Sequence, residues 1–145
     1  GEVRNLIGEE TFLCTYGDGI APVDITNLVQ FHLAQDAGAT ITLAHPTSRF
    51  GIVELEDSGF ISQFREKPIM DELVSIGFFV FGPALWTELT DNAPLEAGPL
   101  HRLAANNQVA GFVHDGFWQP MDTYRELLEL QALWDSGNAP WQVDS

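Results

Sequence analysis

Apolar positions in this chain fall into short β-rich runs separated by stretches where they recur at helical spacing, which is the pattern of an α/β domain. Thr11 to Tyr16 reads as a buried strand that runs into Gly17-Asp18-Gly19 and so delivers a carboxylate to its carboxyl end, where open α/β sheets bind ligands. The same triplet is also the composition of an ordinary turn. Asp24 is placed to cap a helix whose Ile25, Leu28, Val29, Phe31 and Leu33 form a stripe, and Gly38 is placed to stop it. Ala39 to Ala44 is the next strand, and strand, helix, strand in that order is a parallel crossover unit. Residues 1–10 are polar and weakly patterned, a lead-in with no element of its own.

Gly51 to Leu55 and Phe60 to Phe64 flank Glu56-Asp57-Ser58-Gly59 as a hairpin, whose second strand leads into Arg65-Glu66-Lys67-Pro68. Ser75 to Phe81 is too apolar for an edge strand. Pro83 opens a short helix to Leu89, a loop is expected from Thr90 to Gly98, and Pro99 to Ala105 forms another helix. Val109 to His114 is a strand, and the capping-box pattern Thr123-x-x-Glu126 starts a last helix that stops at Gly137. No repeat or linker interrupts the pattern, so residues 1–145 read as a single domain.

Charge narrows the ligand classes. Six Lys and Arg stand against twenty-one Asp and Glu, a net −15, and no cluster of cations exists to release counterions from nucleic acid or an anionic membrane. A phosphate ligand would need local help from Arg49, Arg65, Lys67, a helix N-terminus or a divalent ion. The single cysteine, Cys14, excludes an intramolecular disulfide, and the four histidines show no metal-ligand spacing. Without an apolar run of membrane-spanning length or a signal peptide, a cytoplasmic location is expected.

Two positions leave alternatives open. Asp122 is either the N-cap of the last helix or a second carboxylate aimed at the pocket that Asp18 would face. Two such charges about 4 Å apart repel by about 4 kcal/mol at an effective dielectric of ~20, and a divalent cation reverses the sign. Oxygen ligands beside a phosphate suit magnesium. Lys67 is the only lysine, and a following proline should keep it extended; it reads equally as a phosphate clamp or as a solvated side chain.

Five blocks in register, Thr15-Tyr16-Gly17-Asp18-Gly19, Arg49-Phe50-Gly51, Phe64-Arg65-Glu66-Lys67-Pro68, Gly77-Phe78-Phe79-Val80 and Gly116-Phe117-Trp118-Gln119-Pro120-Met121-Asp122-Thr123, resemble the sugar-1-phosphate nucleotidyltransferases, and most closely the glucose-1-phosphate cytidylyltransferases among them. The resemblance implies a Rossmann-like mixed sheet flanked by helices. It implies attack of a sugar 1-phosphate on the α-phosphate of a nucleoside triphosphate, with pyrophosphate leaving. Asp18, Lys67 and Asp122 would be catalytic, Asp18 and Asp122 holding Mg2+, while Glu66, Lys67, Gly77 and Arg49 would meet the sugar phosphate.

The glycine-rich loop that cradles the nucleotide in that family has no counterpart in this sequence, so the N-terminal nucleotide-binding half is expected to be missing. On that expectation the chain is incomplete alone, takes a nucleoside triphosphate only with a complementary N-terminal half, and forms a homo-oligomer that covers an open edge or apolar face. The alternative is a non-catalytic sugar-phosphate-binding or oligomerisation module. Ser75-Ile76-Gly77 stands where the family favours Asn-Gly-Gly, and Ala97-Gly98-Pro99-Leu100 lacks the acidic residue common before Pro-Leu, which leaves the sugar open.

Overall fold

The computed structural model describes residues 2–89 and 93–142. The start of the loop expected from Thr90 and the end of the tail lie outside them. In chain order the elements begin with α1 (Glu2–Ile7), β1 (Phe12–Thr15), β2 (Gly19–Ile20), α2 (Ile25–Gln35) and β3 (Ala39–Ala44). A hairpin of β4 (Ile52–Leu55) and β5 (Ile61–Arg65) leads to β6 (Val74–Phe81) and α3 (Ala84–Glu88). A π-helical turn (Glu96–Leu100) runs into α4 (His101–Ala105), followed by β7 (Val109–Val113), β8 (Gln119–Pro120) and α5 (Tyr124–Asp135).

The main sheet has the order β1-β6-β3-β7. β6 pairs antiparallel with β1 and with β3, while β3 and β7 run parallel, so the sheet is mixed. β1 and β3 are parallel to each other, as the crossover pattern requires, but β6 lies between them rather than at a margin. Its composition explains the place: Phe79, Val80 and Phe81 are at most 1% exposed, which only a strand covered on both faces and paired on both sides achieves.

The period of two sorts side chains to two layers. Phe12, Cys14, Phe79, Phe81, Ala39, Ile41 and Val109 fall on one face and pack beneath Leu85 of α3, Leu100 of the π-helical turn and Leu103 of α4. The other face carries Thr40 against α2, where the buried His32 Nδ1 lies 2.9 Å from Thr40 Oγ1, and Phe31 meets Phe112 edge to face.

Two local expectations need correcting. The lead-in holds α1, closed by Gly8 at φ +70; it has no apolar stripe to betray it, and Leu6 is 87% exposed. α2 stops at Asp36, φ +50, rather than at Gly38, because Asp tolerates the left-handed conformation. Gly38 serves packing instead: a Cβ there would lie 3.0 Å from Leu103 and 3.2 Å from Ala84.

Candidate functional site

Beyond β1 the chain turns through Gly17-Asp18 into β2, which pairs antiparallel with β8, Gly19 opposite Pro120 and Ile20 opposite Gln119. The register continues through a hydrogen bond of 2.7 Å from Met121 N to Asp18 O, so the two candidate carboxylates, Asp18 and Asp122, stand on neighbouring backbone segments. On its other side this segment crosses β6: a Cβ on Gly19 would be 3.3 Å from the Ile76 carbonyl, and Tyr16 N donates to Gly77 O at 2.8 Å. Asp18 therefore sits between Ile76-Gly77 and Met121-Asp122. Both carboxylates are exposed.

Asp122 is not the N-cap of α5. Thr123 takes that position, its hydroxyl accepting from Glu126 N, while Glu126 Oε2 accepts from Thr123 N at 2.8 Å and from Asp122 N at 2.9 Å. With the cap supplied one residue later, the Asp122 side chain is free of the helix. Its Oδ2 lies 3.8 Å from an Arg49 guanidinium nitrogen, which also donates to Glu126 Oε1 at 3.1 Å. Glu126 thus gathers three donors. Desolvation pulls its pKa upward, but the hydrogen bonds from Thr123 and Asp122 and the Arg49 charge outweigh it and hold the carboxyl below its ordinary range.

A cavity of about 1140 Å3 opens beside this cluster, lined among others by His45, Arg49, Lys67, His114, Trp118 and Glu126. Lys67 and Arg49, expected to meet a phosphate, share its wall. Lys67 arrives there in an unexpected conformation: φ is +45 rather than extended, despite the proline that follows. A left-handed backbone at a non-glycine residue costs on the order of 1–3 kcal/mol and tends to occur where surrounding structure fixes a side chain for use. Asp18, Asp122, Glu66 and Gly77 are not part of the cavity wall. Glu66 Oε2 lies near Gly51, 3.1 Å from where a Cβ would be. Gly77, at φ +80, is roofed by Tyr16, whose ring carbon would lie 2.5 Å from a Cβ.

The sequence reading overlooked Tyr16 itself. Its hydroxyl donates to Glu96 in the π-helical turn, joining the end of β1 to the approach to α4. Burial, the Glu96 hydrogen bond and the Glu96 charge push the phenol up to about 12, and the same bond holds Glu96 below the usual carboxylate range. Among the described residues no group of three or more His, Cys, Asp or Glu converges as a metal cage, and no helix is long and apolar enough to cross a membrane.

The family model for nucleotidyl transferases matches residues 2–133. The chain belongs to the nucleotidyl transferase family. This nucleotidyl transferase chain is 42% identical over 138 residues to the glucose-1-phosphate cytidylyltransferase of Salmonella typhi, covering 93% of the chain and 53% of the relative. It is 38% identical over 144 residues to the "Probable glucose-1-phosphate cytidylyltransferase" of Bacillus subtilis (strain 168), covering 98% of the chain and 56% of that relative. It therefore spans about half the length of the curated relatives it matches. A Bacillus anthracis protein assigned as a glucose-1-phosphate thymidylyltransferase, crystallised with sucrose, superposes with a TM-score of 0.68 at 18% identity over 99% of this chain and 61% of that one, a likeness of fold.

Proposed function

We propose that this chain supplies the sugar-phosphate side of a nucleotidyl transfer, in which the phosphate of a sugar 1-phosphate such as glucose 1-phosphate attacks the α-phosphate of a nucleoside triphosphate and pyrophosphate leaves. The base is cytosine on this reading, supported by the cytidylyltransferases among the relatives. The observation that carries it is the pair of cations on one cavity wall, Arg49 and Lys67, with Lys67 set at φ +45. In a chain with six cations, three line this cavity, Arg125 being the third, and they give a dianionic phosphate its compensation.

Each residue has a part that its position supports. Lys67 holds the sugar phosphate, and Glu66 beside it limits where the ammonium goes. Arg49, anchored by Glu126, turns its remaining donors toward the same anion. Gly77, expected to meet the sugar, is covered by Tyr16 in this structure, so its contact with the sugar is left to the Tyr16–Glu96 side of the site. Asp18 and Asp122 are hard oxygen donors on adjacent segments, a donor set that fits Mg2+ completed by water and phosphate oxygens. Bound there, the ion would neutralise charge on the reacting phosphates. Little covalent work is asked of the protein, which aligns and neutralises. The triphosphate would be held by a complementary N-terminal half.

Thermal unfolding of this chain and of Lys67→Ala, with Mg2+ and glucose 1-phosphate and with CTP as a separate arm, tests the reading. A ligand at about 100 times its Kd stabilises by about 2.7 kcal/mol. Glucose 1-phosphate should raise the melting temperature of the chain and leave Lys67→Ala unmoved. No shift, or an equal shift in both, refutes the phosphate role. Supplying an N-terminal half from a cytidylyltransferase should then produce nucleotidyl transfer; binding without transfer supports the non-catalytic module instead.

A further inference from the structure

Arg49 joins the cavity to the carboxylates outside it. Its side chain lines the cavity with Lys67, while Asp122 lies beyond the wall. One guanidinium nitrogen, Nη2, makes both carboxylate contacts, 3.1 Å to Glu126 Oε1 and 3.8 Å to Asp122 Oδ2. The shorter is a hydrogen bond, and the longer is a contact of charges only. Arg49 is also the one cationic partner of Asp122 among the described residues. Beneath the side chain the backbone is fixed: Ser48 N donates to Pro68 O at 2.9 Å, Met70 N to Pro46 O at 2.9 Å, and Phe50 N to Ser48 Oγ at 3.1 Å. Arg49 and Lys67 therefore stand on paired segments. What can move at Arg49 is its side chain, which is 62% exposed.

We propose that Arg49 is the resident counter-charge of Asp122, that a divalent cation taken by Asp122 displaces it, and that the displaced guanidinium completes the phosphate site beside Lys67. The inference rests on the reading above, in which Asp122 takes a cation and Lys67 a phosphate. It adds that the two binding events are coupled, and that one side chain carries the coupling.

The hold of Asp122 on Arg49 is weak enough to be exchanged. The two side chains are 62% and 54% exposed, and a surface pair of this kind is worth a factor of no more than about 5. A divalent ion carries twice the charge, sits about 2.1 Å from a carboxylate oxygen, and repels the guanidinium that shares the carboxylate. Glu126 is the stronger anchor, because its side chain is only 15% exposed and its contact is a hydrogen bond. Arg49 therefore pivots on Glu126 rather than leaving it. The edge of the planar fork that faced Asp122 turns toward the cavity, where a phosphate oxygen accepts from it.

Mn2+, counted by its electron paramagnetic resonance signal, reports the cation site without reference to turnover, and Asp122→Asn subtracts weak binding elsewhere on a chain of net −15. Asp122→Asn should weaken the titration, and Arg49→Gln should tighten it by ~3-fold or more. In 15N NMR spectra Mg2+ should move the Arg49 Nε–H resonance of the chain and leave it in place in Asp122→Asn, which separates displacement from repulsion at a distance. Mg2+ should also strengthen glucose 1-phosphate binding by ~5-fold or more in the chain and by under ~2-fold in Arg49→Gln. An ion that acts only by touching the phosphate would have equal effects in both. Cation binding lost in Asp122→Asn but unchanged in Arg49→Gln, an unmoved Arg49 resonance, or an equal Mg2+ effect on the sugar phosphate in the two chains overturns the proposal and leaves the cation reading standing. Cation binding indifferent to Asp122→Asn overturns both.

Discussion

Gly77→Ala is expected to damage the chain more than any other single added methyl in the sheet. The residue sits at φ +80, where an L side chain costs about 1–2 kcal/mol. Its Cβ would also lie 2.5, 2.9 and 3.0 Å from Cδ2, Cγ and Cβ of Tyr16. Rotating the ring cannot relieve the contact with Tyr16 Cβ, which is fixed by the strand pairing of β1, so overpacking adds about 1–3 kcal/mol. The total is about 2–5 kcal/mol. With a urea m-value of about 2 kcal/mol/M, the unfolding midpoint should fall by roughly 1–2.5 M.

Gly59→Ala supplies the control, since Gly59 has φ +85 but nothing within 4 Å of the added carbon. It should show only the backbone cost. The Tyr16 phenol gives a second readout: displaced from Glu96, it should titrate below its native value of about 12 in Gly77→Ala and not in Gly59→Ala. Equal losses of stability in the two variants, with an unmoved phenol, would refute the argument that Tyr16 roofs Gly77.

Three further outcomes are expected. Lys67→Gly should remove the backbone strain at φ +45 and stabilise the chain by up to about 1 kcal/mol in urea melts, while abolishing the glucose 1-phosphate shift, a combination that separates ligand loss from unfolding. Thr123→Ala should cost about 1 kcal/mol through the lost cap, measured by urea unfolding. Burial lowers the His32 pKa, so the unfolded chain binds more protons below its own value of about 6.5. Stability should therefore be level above about pH 6.5 and fall as pH drops below it, and His32→Gln should flatten that limb of a melting-temperature profile.

Long periodic elements were legible from the sequence because one interaction dominates each. The apolar run of β6 and the Thr123-x-x-Glu126 box stand as read, and α2 forms where its spacing places a helix, although of its expected stripe Leu28 is buried while Ile25 and Leu33 are exposed. What escaped reading depends on several weak terms at once. The two-residue ladder of β2 and β8 has no periodicity, yet it is what sets Asp18 beside Asp122. Likewise, the proline after Lys67 favours an extended backbone in isolation, and the tertiary setting of the cavity loop overrides it.

Of the candidate site residues, Arg49 and Lys67 line the cavity, while Asp18 and Asp122 stand on neighbouring backbone segments outside its wall. Tyr16 and Glu96 were not legible as a pair, being eighty residues apart and joined only through the fold. Glu126 was visible as a cap but not as an anchor. A capping box shows where a glutamate's second oxygen goes, and the remaining one, free to hold Arg49, follows from the inventory of acceptors on a carboxylate.

That double use of Glu126 limits how such a site can diversify. Because one carboxylate closes the start of a helix and also steadies the arginine of a neighbouring loop, a mutational step that retunes the loop through this residue must at the same time loosen the helix. Variation is free only at positions that carry no such second duty.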